Sequence, residues 1–247
     1  MSDDRPAVMT IAGLDPGCGA GLIADVEAIG ACGGSPRAVC AALTAQGREV
    51  MGAYPVEASI LEQQTRSVGE VAAVKIGMLG SEAVVERVVF MVMDGAIPAP
   101  VVDPVRHAST GMMLMENQAG ERLKKSLLPR AAAVTPNLDE AAWLTGVEDV
   151  LTVSQMEDAA RALVDAGVGL AVITGGHLPG APLIDVAMAA GDDAPWQLMR
   201  RRVEGSARGT GCRFSSALAT FLALELEPRA AVERAGEYVA SYVAMSR

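Results

Sequence analysis

Short apolar runs alternate along this chain with longer segments whose apolar residues recur every three or four positions. Runs of the first kind fit buried strands, and segments of the second kind fit amphipathic helices. The pattern predicts strands at 8–12, 38–45, 71–76, 100–103, 132–135 and 169–174. It predicts helices at 20–31, 59–68, 82–93, 117–127, 138–144 and 154–166. A βαβα rhythm of this kind builds a mainly parallel sheet with helices on both faces. It leaves ligand sites at the carboxyl ends of the strands. Residues 183–190 and 197–203 read as a hairpin around the turn-rich Gly191-Asp192-Asp193, and helices at 210–224 and 229–244 follow. No Pro/Ser-rich linker, charge block or internal repeat divides the sequence, so one domain over 1–247 is expected.

Composition narrows the function classes. Hydrophobic residues make up 51% and charged residues 20%, a globular balance, with aromatics at only 3%. Small aliphatic side chains must therefore fill the core. Thirty acidic residues against twenty basic ones give a net charge of −10, a field that repels nucleic acid. A single nucleotide is not excluded, because backbone N–H groups alone can build an anion site. The four cysteines, Cys18, Cys32, Cys40 and Cys212, form no C-x-x-C pair. Cys32 and Cys40 read as small buried thiols in a reducing compartment. The start, Met1-Ser2-Asp3-Asp4-Arg5-Pro6, lacks the basic-then-apolar pattern of a signal peptide. The longest apolar stretches break at Arg87, Asp94 and Pro98. A soluble, cytoplasmic protein with no membrane contact is expected.

The most informative segment runs from Gly205 to Cys212 and leads into an apolar helix. Glycines at 209 and 211 let successive N–H groups converge, and the helix adds its unpaired N–H groups and positive dipole end. Such a cradle suits the charge on a transferring phosphoryl group. Cys212 would sit in the first turn, where a thiolate is favoured. A plain glycine-rich helix start with a packing cysteine is the alternative. A second glycine-rich stretch, Ala12 to Gly21, follows a strand and opens a helix, so a ligand could approach its backbone; a tight turn explains it equally. Asp103 ends one strand, and Asn137 and Glu140 follow the next. If those strands are neighbours, the three face one sheet edge, where oxygen ligands suit Mg²⁺. Helix capping by Asn137 and Glu140 competes with that reading. His107 and His177 are isolated and form no zinc pattern.

Taken in order, these pieces resemble the hydroxymethylpyrimidine and phosphomethylpyrimidine kinases of the ribokinase-like superfamily. The carriers are Thr10-Ile11-Ala12-Gly13 with Asp15-Pro16, Gly19-Ala20-Gly21 and Ala24-Asp25. Next come Ala42-Leu43-Thr44-Ala45-Gln46, Val74-Lys75-Ile76-Gly77-Met78-Leu79 and Asp103-Pro104-Val105. Thr135-Pro136-Asn137-Leu138-Asp139-Glu140, Gly175-Gly176-His177 and Gly209-Thr210-Gly211-Cys212 complete the set. The resemblance implies a three-layer α/β/α fold with a mainly parallel sheet and no separate lid domain. It implies transfer of the ATP γ-phosphoryl to a pyrimidine alcohol, or to the phosphate ester made there, for thiamine pyrophosphate. By resemblance Gln46 bonds the aminopyrimidine edge, and Gly13, Ala20 and Met78 line the ring pocket. Gly209, Thr210, Gly211 and Cys212 form the anion hole, with Cys212 in the place of a base. Thr174, Asn137 and Arg208 join Thr210 on the nucleotide, and Asp103 and Glu140 organise Mg²⁺. A homodimer is also implied.

Several family positions differ here. Cys18 replaces a glycine, and Leu14 replaces a small polar residue. No lysine stands near Ser109, and Thr174 replaces another lysine. Arg208 stands for a histidine, with Arg213 and Arg106 as further phosphate candidates. The usual Gly-Lys-Gly tail is absent. These departures keep open a ribokinase-like binder of pyrimidine-like rings with weak or no catalysis, and the resemblance extends to pyridoxal-type kinases, which leaves the ring open.

Overall fold

The computed structural model describes residues 4–46, 50–108, 111–176, 178, 180, 182–203 and 207–246, with the backbone alone at 46, 50 and 51. Gly205, Ser206, His177 and Ser109 lie outside the described residues. The strands are β1 (Ala7–Leu14), β2 (Ser35–Gln46), β3 (Val50–Pro55), β4 (Ala73–Ile76), β5 (Val101–Val102), β6 (Ala133–Val134), β7 (Leu170–Ile173), β8 (Leu183–Ala189) and β9 (Trp196–Arg200). The helices are α1 (Gly21–Ala31), α2 (Ala58–Val68), α3 (Glu82–Met93), α4 (Asn117–Arg122), α5 (Leu138–Thr145), α6 (Val153–Asp165), α7 (Thr210–Ala223) and α8 (Pro228–Met245).

All nine strands join one sheet in the order β3-β2-β1-β4-β5-β6-β7-β8-β9. The six strands from β2 to β7 in that order are parallel; β3 and β8 run antiparallel to them, and β9 pairs antiparallel with β8. One face buries Ile11, Ile76, Val102 and Val134 against α2 to α6; the other buries Val8, Val101 and Val172 against α1, α7 and α8. This is the expected three-layer α/β/α arrangement. The expected strands and helices are all present, with boundaries shifted by a few residues.

Two differences have local causes. β3 was not expected, because Gly52 and Pro55 interrupt its apolar pattern. Both residues are tolerated there because β3 is the edge strand. The helix expected over 117–127 is α-helical only to Arg122; a π turn (Leu123–Leu127) and a 3₁₀ turn (Leu128–Arg130) follow. Pro129, which has no N–H to donate, breaks the regular ladder. Elsewhere caps fix the ends: Thr152 accepts from the Gln155 N–H at the start of α6, and Pro228 opens α8. No helix of the described residues is long and apolar enough to cross a membrane.

Candidate active site

The site is built where α7 starts, beneath the carboxyl ends of β1, β4 and β5. Gly209 caps α7 with φ +69, the left-handed region that glycine adopts without cost. A Cβ there would stand 2.2 Å from the Gly19 carbonyl oxygen, so the two glycine-rich loops touch at this point. Among the described residues no side chain caps α7. Among the described residues the N–H groups of Gly209, Thr210, Gly211 and Cys212 meet no backbone acceptor. Gly211 is exposed and a Cβ on it would meet nothing within 4 Å, so this side of the helix start is open.

The loop between β1 and α1 behaves differently. Its N–H groups at Gly17, Gly19 and Ala20 donate to the buried Asp15 carboxylate at 2.8, 3.2 and 3.1 Å. For these three N–H groups the tight-turn reading holds, because Asp15 occupies the position an anion would take. Arg208, expected on a nucleotide phosphate, instead donates to Asp15 at 3.3 Å. Arg213 is turned inward onto Glu27 at 2.6 Å and stacks on Tyr242. Arg106 lies over the Trp143 ring, 5.3 Å from its centroid.

Beneath the α7 cradle lies a charged floor. Lys75 on β4 is fully buried and donates to both oxygens of Asp25 on α1 at 2.9 Å. Asp25 also accepts from Thr10 at 2.6 Å and from Ser216 of α7 at 2.9 Å. The Lys75 ammonium stands 3.8 Å from Asp103, which accepts from Ser215 at 3.5 Å. Burial works against the Lys75 charge, but the carboxylates, Asp25 foremost and then Asp103, outweigh it and hold the amine above the ordinary lysine range. Burial likewise pushes the Asp103 carboxyl up, opposed by Lys75.

Cys212 lies over this floor. Burial raises its thiol to about 12, against the pull of Lys75 and a hydrogen bond from the Gly21 N–H. The expectation of a stabilised thiolate is therefore corrected. Removal from water outweighs the helix dipole and the nearby ammonium, and the group rests as a neutral thiol.

Asp103 and Glu140 are brought together, because β5 and β6 are neighbours. Glu140 closes a capping box with Asn137, each side chain meeting the other's backbone N–H at 2.9 Å. The capping reading of Asn137 and Glu140 is therefore met. Burial and then the Asp103 charge raise the Glu140 carboxyl to about 8. Two part-desolvated acids that repel each other fit a divalent cation held by carboxylates and phosphate oxygens. No group of three His, Cys, Asp or Glu side chains that could hold a metal ion exists among the described residues.

The ring-pocket candidates also meet. A Cβ on Gly13 would stand 2.9 Å from the Met78 sulfur, and Met78 packs with Ala42, Ala108 and Leu114. Gly13 connects this apolar patch to the cradle, since a Cβ on Gly21 would lie 2.2 Å from the Gly13 oxygen. Ala20 lies against Gly209. Gln46 ends β2, paired with Val50 of β3, and its side chain is outside the described atoms. Thr174 lies apart from this cluster, past β7, where its N–H and hydroxyl both donate to the Pro136 carbonyl.

The Asp25–Lys75 pair carried no expected role, although charges inside an apolar helix and an apolar strand are a readable signal. Arg202 was also missed. Its guanidinium donates to the carbonyls of Gly176, Leu178 and Gly180 at 2.9, 2.7 and 3.0 Å, holding the loop past β7.

Comparison with known proteins shows the family. Residues 15–246 match the family described as Phosphomethylpyrimidine kinase. A hydroxymethylpyrimidine/phosphomethylpyrimidine kinase of Streptomyces coelicolor is 40% identical over 95% of this chain and 87% of its own length. The crystal structure of a Clostridium difficile phosphomethylpyrimidine kinase superposes with a TM-score of 0.82 at 29% identity, covering 98% of this chain and 99% of that one. A Staphylococcus aureus pyridoxal kinase in complex with AMP-PCP and pyridoxal superposes with a TM-score of 0.85 at 28% identity, covering 97% of this chain and 88% of that one. The fold is ribokinase-like, and the chain belongs to the phosphomethylpyrimidine kinase family of phosphotransferases.

Proposed function

We propose that this protein transfers the γ-phosphoryl group of ATP to the hydroxymethyl group of an aminopyrimidine, and to the monophosphate so formed, in thiamine pyrophosphate biosynthesis. The observation that carries the reading is the open ring of amides at Gly209–Cys212. It lies beside the acidic pair Asp103 and Glu140 and is joined through Gly21 to the Gly13–Met78 patch. The amides of Gly209, Thr210, Gly211 and Cys212 stabilise the equatorial charge of the phosphoryl group in flight. Lys75 adds a fixed positive charge below it. Met78, Gly13 and Ala20 bracket the flat ring, and Gln46 serves its amidine-like edge with one donor and one acceptor. Asn137, Thr174 and Arg208 stand on the nucleotide side, Arg208 by leaving Asp15 for a phosphate oxygen.

Asp103 and Glu140 are the residues that would hold Mg²⁺, which supplies charge neutralisation to the phosphates. Without a resident thiolate, Cys212 acts by lending its thiol hydrogen and its N–H, and positioning does most of the chemistry. Family resemblance supports a cytoplasmic homodimer of single-domain subunits, 1–247.

The test is ADP release with Mg²⁺ over a panel of pyrimidine and pyridine alcohols. Turnover is expected to be highest on 4-amino-5-hydroxymethyl-2-methylpyrimidine. Binding of that ring without ADP release would leave only a binding protein, and preferred turnover of pyridoxal would move the chain to the neighbouring activity.

A further inference from the structure

The α7 cradle works only if its first amide is aimed correctly, and Arg213, one turn into α7, and Tyr242 of α8 both reach the peptide that carries it. Arg213 Nη1 accepts nothing and donates to two carbonyls, Gly19 O at 3.2 Å and Arg208 O at 3.5 Å. Its Nη2 is fixed by Glu27 of α1 at 2.6 Å, and its guanidinium carbon lies 4.0 Å from the centroid of the Tyr242 ring on α8. The Tyr242 hydroxyl donates to the same Arg208 carbonyl at 3.3 Å. Arg213 is 2% exposed, whereas the Tyr242 hydroxyl contact is open to water.

A trans peptide is planar, and its N–H points opposite to its C=O. Holding a carbonyl therefore aims the next residue's amide the other way. The Gly19–Ala20 peptide demonstrates this: its carbonyl is on Arg213, and its N–H reaches Asp15 Oδ2 at 3.1 Å on the far side. The Arg208–Gly209 peptide is held by the same nitrogen, with Tyr242 as a second donor. Its N–H, belonging to Gly209, faces away from Arg213 and has no acceptor among the described residues.

We infer that Tyr242 and Arg213 are positioning residues for phosphoryl transfer, which hold the Arg208–Gly209 peptide so that the Gly209 N–H faces the transferring group. The C-terminal helix α8 is thereby part of the catalytic support although it touches no substrate. This inference rests on the kinase reading and adds residues to it.

Steady-state kinetics of Tyr242→Phe and Arg213→Lys test it. The phenylalanine keeps the stacking ring and loses one hydrogen bond, so kcat should fall about fivefold with KM for ATP and pyrimidine within about twofold and an unchanged melting temperature. Lysine cannot hold Gly19, Arg208 and Glu27 together, so kcat should fall about thirtyfold or more. Unchanged kcat in both variants overturns the inference, as does a fall in kcat matched by a rise in KM and a lower melting temperature, which marks a packing role. If the unaltered protein shows no turnover, the kinase reading fails on its own. Hydrogen exchange then decides: faster exchange of the Gly209 amide in Tyr242→Phe supports the inference, and identical exchange overturns it.

Discussion

Two glycine-rich turns meet at the mouth of this site, and they use the same local chemistry to opposite ends. Each carries a strand or loop into a helix, and each gathers several N–H groups toward one point. After β1 that point is filled by Asp15, which accepts from Gly17, Gly19 and Ala20 and makes the turn rigid. Before α7 the point stays open among the described residues, with no side-chain cap. One carboxylate, placed two to five residues before its donors, separates a scaffold from a binding element. The two are complementary, because the filled turn presses its Gly19 carbonyl against Gly209 and shapes the open one.

The largest effect should come from breaking the contact between them. Gly209→Ala demands a left-handed backbone of a residue with a Cβ and drives that atom to 2.2 Å from the Gly19 oxygen. Conformation alone costs about 1 kcal/mol, and the overlap forces the loops apart. Turnover should fall by about a hundredfold or more, the scale of a lost transition-state donor, and the melting temperature should drop. Gly211→Ala is the comparison: its Cβ enters open space inside a helix, so thermal stability should hold or rise by about 1 kcal/mol. Equal melting curves for the two variants would show that the loops do not brace each other.

A smaller effect probes the filled turn. Asp15→Ala leaves three N–H groups and Arg208 without their acceptor, so unfolding free energy should fall by about 2–3 kcal/mol in denaturant melts. A change below about 0.5 kcal/mol would mean that water replaces the carboxylate freely.

The order of strands and helices was legible because buried parallel strands read as short apolar runs and their crossover helices as amphipathic ones. β3 was not, since an edge strand containing Gly52 and Pro55 has neither pattern. At the site, the residues supplying backbone groups, Gly209 and Gly211, could be found from sequence because glycine marks where the main chain does the work. Side-chain destinations could not. Arg208, Arg213 and Arg106 are equal candidates for phosphate by type, and only packing decides that they meet Asp15, Glu27 and Trp143. The Cys212 thiolate failed for a related reason: a helix start predicts stabilisation, but the depth of the sulfur below the surface is not written locally. Lys75 and Asp25 lie fifty residues apart, and each alone looks like an interruption in an apolar element.

A third helix start, that of α5, gives the smallest and most specific test. Its orphan N–H groups are met by Asn137 and Glu140, so like the Asp15 turn it is filled, but by a carboxyl raised to about 8 by burial and by Asp103. The sign follows from the two pKa values. Below about 4.5, the ordinary glutamate value, Glu140 is protonated in both folded and unfolded chains and carries no penalty. As pH rises from there to about 8, the unfolded chain releases the proton and the folded one retains it, so stability falls across this window. Glu140→Gln keeps an acceptor for the Asn137 N–H and removes the titration. In ligand-free protein the variant should therefore match the parent near pH 4.5 and be the more stable of the two near pH 8, with the gap opening steadily between. Parallel pH profiles would place the Glu140 charge in water, and the contrast would then reduce to Asp15 and the open α7 turn alone.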